Sequence, residues 1–241
     1  MAKASAAGHR VVLVVATGGE HGETPDDLAN GETLHHRRRA ETERSCAGLG
    51  VHRIVWLGYE DSGMQGWEQN ADPTSFHQAP LEEAAERLAA ILREERADVL
   101  TTYDWHGNYG HPDHIKVHHV GNRAAELAGT PTVYEATINR EHVARLMEVA
   151  RQNGAEVEGP GETDDGNPFG MAEEDLTTAV DVTAYIEAKR AALKAHASQI
   201  TDSSFFLTME PEVFSMAFGT EWFIRHGAPR GIHESELGGL G

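Results

Sequence analysis

A continuous apolar run, Val11-Val12-Leu13-Val14-Val15, lies near the start of the chain and limits its fold more than any other feature. A run without polar alternation is typical of a strand buried on both faces, as in a parallel sheet covered by helices. Comparable runs follow at residues 51–57, 97–102, 131–136, 177–182 and 221–225. Because they alternate with helical patterns, the sequence predicts an α/β domain with a mostly parallel sheet and right-handed crossovers.

Helical patterns fill the segments between the predicted strands. They cover residues 34–49, 81–96, 115–127, 140–153, 183–199 and 211–218. Thr183 is predicted to cap the helix that it opens, and the strand at 221–225 is predicted at an edge of the sheet. We find no internal repeat and no domain boundary, so residues 1–241 are predicted to form one domain, with 170–241 as its carboxyl-terminal part.

The charge balance excludes several classes of partner. The chain has 39 acidic residues against 20 Lys and Arg, a formal net charge of −19. Nucleic acids and anionic membranes need a basic surface, so neither is predicted as a partner. The single cysteine, Cys46, excludes an internal disulfide and predicts a reducing, cytoplasmic location. No apolar run is long enough to predict a membrane span.

Polar side chains are concentrated in the segment Tyr103–His114, which follows a predicted strand and precedes a predicted helix. It contains three histidines, two aspartates and two tyrosines in a turn rich in Gly and Asn. An α/β fold places its chemistry at such junctions, where side chains point into the crevice at the carboxyl ends of the strands. The alternative is a solvated polar loop with an incidental histidine pair. The earlier glycine-rich loop at 17–23 has neither dinucleotide-binding spacing nor a P-loop lysine.

The residue types in this loop suit the hydrolysis of an amide. His114 is predicted in the first turn of a helix, a fixed position that suits a zinc ligand. Asp113 and His111 could form a carboxylate–imidazole pair, which raises the pKa of the ring and makes it an acid or an oxyanion stabiliser. Tyr109 adds an O–H donor. Zinc would polarise the carbonyl and acidify a water molecule.

The segment Tyr109-Gly110-His111-Pro112-Asp113-His114 resembles the second signature of the PIG-L/LmbE-like zinc deacetylases. This family includes N-acetylglucosaminyl-phosphatidylinositol deacetylases and the deacetylase and amidase of mycothiol metabolism. Further similar segments follow the family order at residues 14–20, 38–41, 57–64 and 189–199. The resemblance implies a Rossmann-like three-layer sandwich, Zn²⁺ as cofactor, and removal of an N-acetyl group from an amino-sugar or other small amide substrate. The resemblance leaves open whether the chain forms a homo-oligomer.

The resemblance also implies roles for individual residues. His114 would be a zinc ligand, His111 the acid or oxyanion stabiliser, and Asp113 its orienting carboxylate. Tyr109 would lie beside the substrate carbonyl.

Two residues earlier in the chain would bind the polar groups of the substrate. They are Arg38, in the first predicted helix after the glycine-rich loop, and Asp61, after the second predicted strand. From spacing alone, Arg38 and Glu41 would be a surface ion pair on one helix face.

The chain departs from the family in one large respect. The first signature of the family, His-Pro-Asp-Asp-Glu, supplies two zinc ligands and the base, and the chain does not contain it. Thr24-Pro25-Asp26-Asp27 is only a partial match at a different place. Residues 1–9 are predicted as the end of a helix that would follow a first strand. We therefore expect that first strand to be missing, an open edge or groove in its position, an incomplete zinc site and an inactive chain.

Two other interpretations use the same residues. A degenerate member of the family would bind a sugar or nucleotide without hydrolysing it, because one imidazole binds zinc weakly. His111-x-Asp113-His114 also resembles part of the metallo-β-lactamase motif. That motif requires a histidine where this chain has Tyr109, and it belongs to a β-rich fold.

Overall fold

The computed structural model describes residues 1–152, 154, 161, 163 and 166–238. Its strands form two sheets, one with the order β1-β2 and one with the order β3-β4-β6-β5. Their bounds are β1 Val12–Thr17, β2 Arg53–Tyr59, β3 Val99–Tyr103, β4 Thr132–Thr137, β5 Thr178–Asp181 and β6 Thr220–Arg225. β1 is parallel to β2, and β3 is parallel to β4. β6 runs antiparallel to both of its neighbours.

The helices follow the strands in the predicted alternation. Their bounds are α1 Ala2–Ala6, α2 Leu34–Leu49, α3 Leu81–Glu95, α4 Gly107–Gly110, α5 Pro112–Ala128, α6 Arg140–Gln152, α7 Ile186–Ala195, α8 Phe205–Thr208 and α9 Pro211–Phe218. α4 and α8 are single turns. The α/β fold class is therefore confirmed, and in the described ranges no helix is long and apolar enough to cross a membrane.

Local sequence signals account for where the main helices begin and end. The Thr33 hydroxyl accepts a hydrogen bond from the His36 N–H at 3.2 Å and caps α2, which ends at Gly50 with φ 71°. α5 begins with Pro112 in its first turn, where a missing N–H costs nothing. Its buried face includes Val120 and Ala124, which pack against α3.

Three details of the prediction are wrong. α5 begins at Pro112 rather than at residue 115, because His111 acts as its N-cap. α7 begins at Ile186, and Thr183 does not cap it: its N–H and hydroxyl both donate to Asp181 and hold a short turn before the helix. The strand predicted at an edge, β6, lies between β4 and β5, because both of its backbone edges bond to a neighbouring strand.

A groove of about 390 Å³ separates the two sheets. Its walls include Val12 and Val14 of β1 on one side and Leu100 and Thr101 of β3 on the other. Neither strand pairs with another described strand on that side. Thr101 is exposed although it lies in the middle of its strand. The groove and open edges expected at this position are therefore present.

Helices and ion pairs hold the two sheets beside each other. One apolar core, which includes Leu88 of α3 and Val120 of α5, also packs against Val14 of β1. At the amino ends of the strands, Glu95 accepts from Arg10 at 2.6 Å and from Arg53 at 2.6 Å. These contacts fix the separation of the sheets.

Candidate active site

Asp104 shapes the loop that leaves β3. Its carboxylate accepts hydrogen bonds from the backbone N–H groups of His106 at 3.1 Å and Asn108 at 2.9 Å. The Thr137 hydroxyl of the neighbouring strand β4 donates to its second oxygen. Since Asp104 is completely buried, these donors replace the water that an ionised carboxylate requires. The loop is thereby tied to the carboxyl end of the sheet.

Gly107 lets this loop lie against the first turn of α5. Its φ is 63°, and a Cβ at this position would lie 2.5 Å from the Cβ of His114 and 2.8 Å from the backbone nitrogen of Ile115. Only glycine avoids both the positive-φ penalty and this overlap. The Gly107 carbonyl oxygen consequently lies 3.2 Å from His114 Nδ1.

Two imidazoles lie side by side with opposite hydrogen-bonding roles. His111 Nδ1 accepts from the Asp113 backbone N–H at 3.1 Å, which places the ring proton on Nε2. His114 Nδ1 donates to the Gly107 carbonyl, which leaves Nε2 with a free lone pair. The ring centroids are 4.9 Å apart. One ring therefore presents a donor, and the other presents the form that binds a metal.

Burial keeps both imidazoles neutral at ordinary pH. It is the main cause that lowers the pKa of His114 to about 4, and the neighbouring His111 adds to the effect. Burial also lowers the pKa of His111, although the negative charge of Asp61 opposes it. Stacking of Tyr103 on His114, with ring centroids 4.2 Å apart, helps to shield that ring from water. Neutral imidazole is the form that coordinates zinc.

Asp113 contacts the loop after β2 rather than the His111 ring. Its carboxylate accepts from the Ser62 N–H at 3.2 Å and from the Ser62 hydroxyl. Burial raises the pKa of Asp113 to about 6, and the nearby Asp61 also raises it. The carboxylate–imidazole pair expected between Asp113 and His111 is not among the contacts of the described residues. The contact with His111 comes from the Asp113 main chain.

Tyr109 lies over the two imidazoles. Its ring meets His114 edge-on with centroids 5.1 Å apart, and it meets His111 in the same way at 6.2 Å. Burial raises the pKa of Tyr109, so its hydroxyl stays protonated. The residue is nevertheless 37% exposed, and an O–H donor is therefore present at the mouth of the site.

Asp61 and Arg38 lie on the β1–β2 side of the site. Asp61 is buried and accepts from the backbone N–H groups of His21 at 3.2 Å and Gly63 at 2.9 Å. Arg38 donates to the Gly19 carbonyl at 2.6 Å. Burial lowers the pKa of Arg38, while Asp61, Glu41 and Glu20 oppose that effect. The Arg38 Nε is buried without a hydrogen-bond partner in the described part of the chain.

Glu41 is not a partner in a surface ion pair with Arg38. Only 1% of it is exposed, and its two carboxylate oxygens accept from the N–H of Ser198 at 2.8 Å and from its hydroxyl at 2.6 Å. This contact ties α2 to the segment that follows α7.

Three polar residues that support the site had no predicted role: Asp104, Ser62 and Ser198. The Asp104-x-x-Gly107-Asn108 pattern is a turn signal that could have indicated the first. Ser62 bonds to Asp113, which is 51 positions away in the sequence, and Ser198 bonds to Glu41, which is 157 positions away. No local pattern encodes such contacts.

The described residues fit a zinc ion only in part. A catalytic zinc takes about three protein ligands and water. Within the described ranges there is no group of three or more His, Cys, Asp or Glu side chains arranged to hold a metal. His114 has the burial, the tautomer and the carbonyl partner on Nδ1 that suit a zinc ligand.

Comparison with known proteins identifies the family of the chain. Residues 1–125 match the PIG-L family, described as GlcNAc-PI de-N-acetylase. A 1D-myo-inositol 2-acetamido-2-deoxy-alpha-D-glucopyranoside deacetylase of Thermomonospora curvata is 37% identical over 254 residues, covering 96% of this chain and 85% of that protein.

Two solved structures share the fold at low identity. N,N'-diacetylchitobiose deacetylase from Pyrococcus horikoshii has a TM-score of 0.56 at 24% identity and covers 93% of this chain and 75% of its own. The 4-carboxy-2-hydroxymuconate hydratase of Pseudomonas putida has a TM-score of 0.55 at 15% identity, with 94% and 88% covered. These likenesses show a fold that hosts more than one chemistry. The sequence matches are more specific, and the chain belongs to the PIG-L family of GlcNAc-PI de-N-acetylases.

Proposed function

We propose that this site belongs to a metal-dependent deacetylase that releases acetate from the N-acetyl group of a small amino sugar. The observation that carries the proposal is the His111–His114 pair, 4.9 Å apart, in which one ring presents an N–H and the other a lone pair. The relatives that are deacetylases of an inositol-linked acetamido sugar support this choice of substrate.

The residues of the chain suit three tasks in such a reaction. The His111 Nε2–H and the Tyr109 hydroxyl would donate to the amide carbonyl and stabilise the oxyanion that forms on it. Arg38 and Asp61, which lie close together on the β1–β2 side of the site, would bind the sugar hydroxyls. Asp113 would act as a positioning residue, since its backbone fixes the tautomer of His111. Burial of the rings excludes water that would compete for these donors.

Zinc is the metal that we propose, with His114 as one ligand. A bound zinc ion supplies Lewis acidity and an activated water. The other ligands and the base are not identified among the described residues. This shortfall favours a second candidate function, a module that binds an amino sugar or a nucleotide without hydrolysing it.

The experiment that separates the two candidates measures metal, binding and turnover on the same preparation. The substrate is an N-acetylglucosaminyl inositol, the zinc concentration is saturating, and the product is the free amine. For a deacetylase, His114→Ala is expected to abolish zinc binding and amine release together. His111→Ala is expected to keep zinc and lower kcat by about 10²–10⁴, the usual effect of losing an acid–base group.

Equal turnover in the unaltered chain and both variants would contradict the deacetylase. Saturable sugar binding by calorimetry, without amine release, would select the binding module. If the chain shows no sugar binding and no turnover, both candidate functions are contradicted.

A further inference from the structure

The segment that follows β2, residues 60–80, carries an exposed tryptophan, Trp67, beside the candidate site. The segment returns to its starting point, because the His77 N–H donates to the Ser62 hydroxyl at 2.9 Å. The same hydroxyl donates to the carboxylate of Asp113. The turn that bears Trp67 is therefore tied at its base to the polar residues of the site.

Asn70 holds this turn in one shape. Its amide nitrogen donates to the Ser62 carbonyl at 2.6 Å and to the Met64 carbonyl at 3.1 Å. Its side-chain oxygen accepts from the Gly66 N–H at 2.9 Å. The main chain of Trp67 is bonded on both sides, since its N–H donates to Met64 and its carbonyl accepts from Asn70, both at 3.1 Å. A tryptophan on a braced turn offers a large contact area at a small cost in conformational entropy.

Gly63 lets the Trp67 ring lie directly on the turn. Its φ is 66°, and a Cβ at this position would lie 2.8 Å from Trp67 Cε3, so the ring rests on bare main chain. The Gly63 N–H donates to the Asp61 carboxylate at 2.9 Å. Asp61 faces the site, because its negative charge opposes the lowering of the His111 pKa by burial. Gly63 therefore connects the indole with a carboxylate of the candidate site.

The exposed part of Trp67 indicates what kind of group would cover it. Although tryptophan gains much from burial, 47% of this residue is exposed. Gln65 and Glu68, on the same turn, are polar and exposed. An alkyl chain or an aromatic group would need apolar walls on more than one side. A saturated ring with hydroxyls needs only one flat apolar surface, because its C–H groups are attracted to the face of the indole while its hydroxyls stay in water.

We propose that Trp67 is the stacking surface for a polyhydroxylated ring, a pyranose or a cyclitol, that is linked to the N-acetyl sugar. The acetylated sugar would lie between His111 and Asp61, and the linked ring would extend past Asp61 onto the indole. Trp67 is then a specificity-determining residue that favours glycosides with a second hydroxylated ring. This inference rests on the proposed function, and it adds the group to which the amino sugar is attached.

Calorimetric titration of the whole chain with three glycosides of N-acetylglucosamine tests the proposal. They carry a methyl group, an inositol or a phenyl group at the anomeric carbon. The unaltered chain is expected to bind the inositol glycoside about tenfold more tightly than the methyl glycoside, through stacking on the indole. Trp67→Ala should remove this preference and leave the affinity for the methyl glycoside unchanged. Trp67→Phe keeps an aromatic face and should retain most of the preference.

Trp105 provides the matched control. It is exposed to the same degree, 48%, but it lies on the loop after β3, and its indole N–H donates to Met171 at 3.2 Å. Trp105→Ala should keep the preference for the inositol glycoside.

Fluorescence gives a second measurement. Trp67 and Trp105 are the two exposed tryptophans of the four in the chain. In a Trp105→Phe background, the inositol glycoside should protect Trp67 from quenching by acrylamide, and the methyl glycoside should not. If Trp67→Ala fails to fold, this measurement still decides the question on a chain that keeps Trp67.

Four outcomes would overturn the proposal. They are equal affinity of the unaltered chain for the methyl and inositol glycosides, equal weakening of both by Trp67→Ala, loss of the preference in Trp105→Ala as well, and a preference for the phenyl glycoside alone. The last outcome would assign an aromatic group to this surface. Failure of the unaltered chain to bind any of the three glycosides is distinct from these, since it would contradict the proposed function itself and this inference with it.

Discussion

The carboxylate of Asp113 is the acceptor for both the backbone N–H and the hydroxyl of Ser62, a residue 51 positions earlier in the chain. Asp113 is in the first turn of α5, and Ser62 lies just after β2. This buried contact joins the two sheets at the carboxyl ends of their strands, where the candidate site is located. It holds His111 and His114 in a fixed place relative to Asp61.

Replacing Ser62 by Ala should destabilise the chain through this contact. The Asp113 carboxyl would lose the hydroxyl donor inside the protein, at a cost of about 1–3 kcal/mol. Urea denaturation of the unaltered chain and of Ser62→Ala measures the difference in the free energy of unfolding. Ser235→Ala, at an exposed serine, is the control and should change the free energy of unfolding by less than about 0.5 kcal/mol. Equal stability of all three proteins would show that the Ser62–Asp113 contact contributes nothing.

Gly107→Ala should disturb the site more than a simple loss of glycine. Gly107 and Gly129 have φ values of 63° and 72°, but a Cβ would meet His114 only at the first position. Gly107→Ala and the control Gly129→Ala each place an alanine in the left-handed region, at a cost of about 1–2 kcal/mol. Gly107→Ala adds about 1–3 kcal/mol for the overlap with His114. Denaturation and zinc titration of both variants test this, and equal losses would place the Gly107 effect in the backbone alone.

A buried cluster on β4 should make stability depend on pH. Burial alone would raise the pKa of Glu135, but hydrogen bonds from His118 and His226 outweigh it and lower that pKa to about 2. The ring nitrogens lie 3.2 Å and 2.5 Å from the carboxylate. Burial would lower the pKa of His118, yet its hydrogen bond to Glu135 raises it above the usual value.

The signs of the two shifts define a pH window. The lowered pKa of Glu135 contributes stability that is complete above its unfolded value of 4.5 and is lost as pH falls towards about 2. The raised pKa of His118 contributes stability that is complete below 6.5 and is lost as pH rises through its folded pKa.

Glu135→Gln should therefore cost most between these two limits, by about 1.5–3 kcal/mol. Urea denaturation across the acidic to neutral range checks this, with Glu43→Gln at an exposed ion pair as the control. A constant difference over the whole pH range would contradict the linkage.

Arg38→Ala should weaken sugar binding if Arg38 contacts the ligand. Loss of hydrogen bonds from a charged donor corresponds to a decrease in affinity of about 10- to 100-fold. Arg44→Ala removes an exposed arginine from the same helix and should leave affinity unchanged. Calorimetric titration with the acetylated sugar measures both variants. An equal decrease in both would indicate that long-range charge, rather than a direct contact by Arg38, attracts the ligand.

Local signals explain how much of the fold could be predicted. Helices α2 and α9 have the predicted bounds, because Thr33 and Gly50 limit the first and Pro211 opens the second. The prediction failed at Thr183, where the nearby Asp181 carboxylate competes for its N–H and hydroxyl. It also failed for β6, since an apolar run carries no information about how many strands will pair with it.

The candidate site could be predicted only where its residues are close together in the sequence. The residues of the loop between β3 and α5 are neighbours in sequence, so their composition identified His111, Tyr109 and His114 as a group. The partners of Asp113 and Glu41 are Ser62 and Ser198. Those contacts form only after helices and strands have packed, and spacing along the chain does not encode them.

The sequence by itself determined the alternation of strands and helices, the family, and the set of polar residues at one strand–helix junction. These follow from hydrophobic periodicity, caps and glycines, which act over a few residues. Only the tertiary structure decided which histidine nitrogen carries the proton, what Asp113 contacts, and that the β1 and β3 edges stand open across an apolar groove. Each of these depends on burial and on hydrogen-bond partners that distant segments supply.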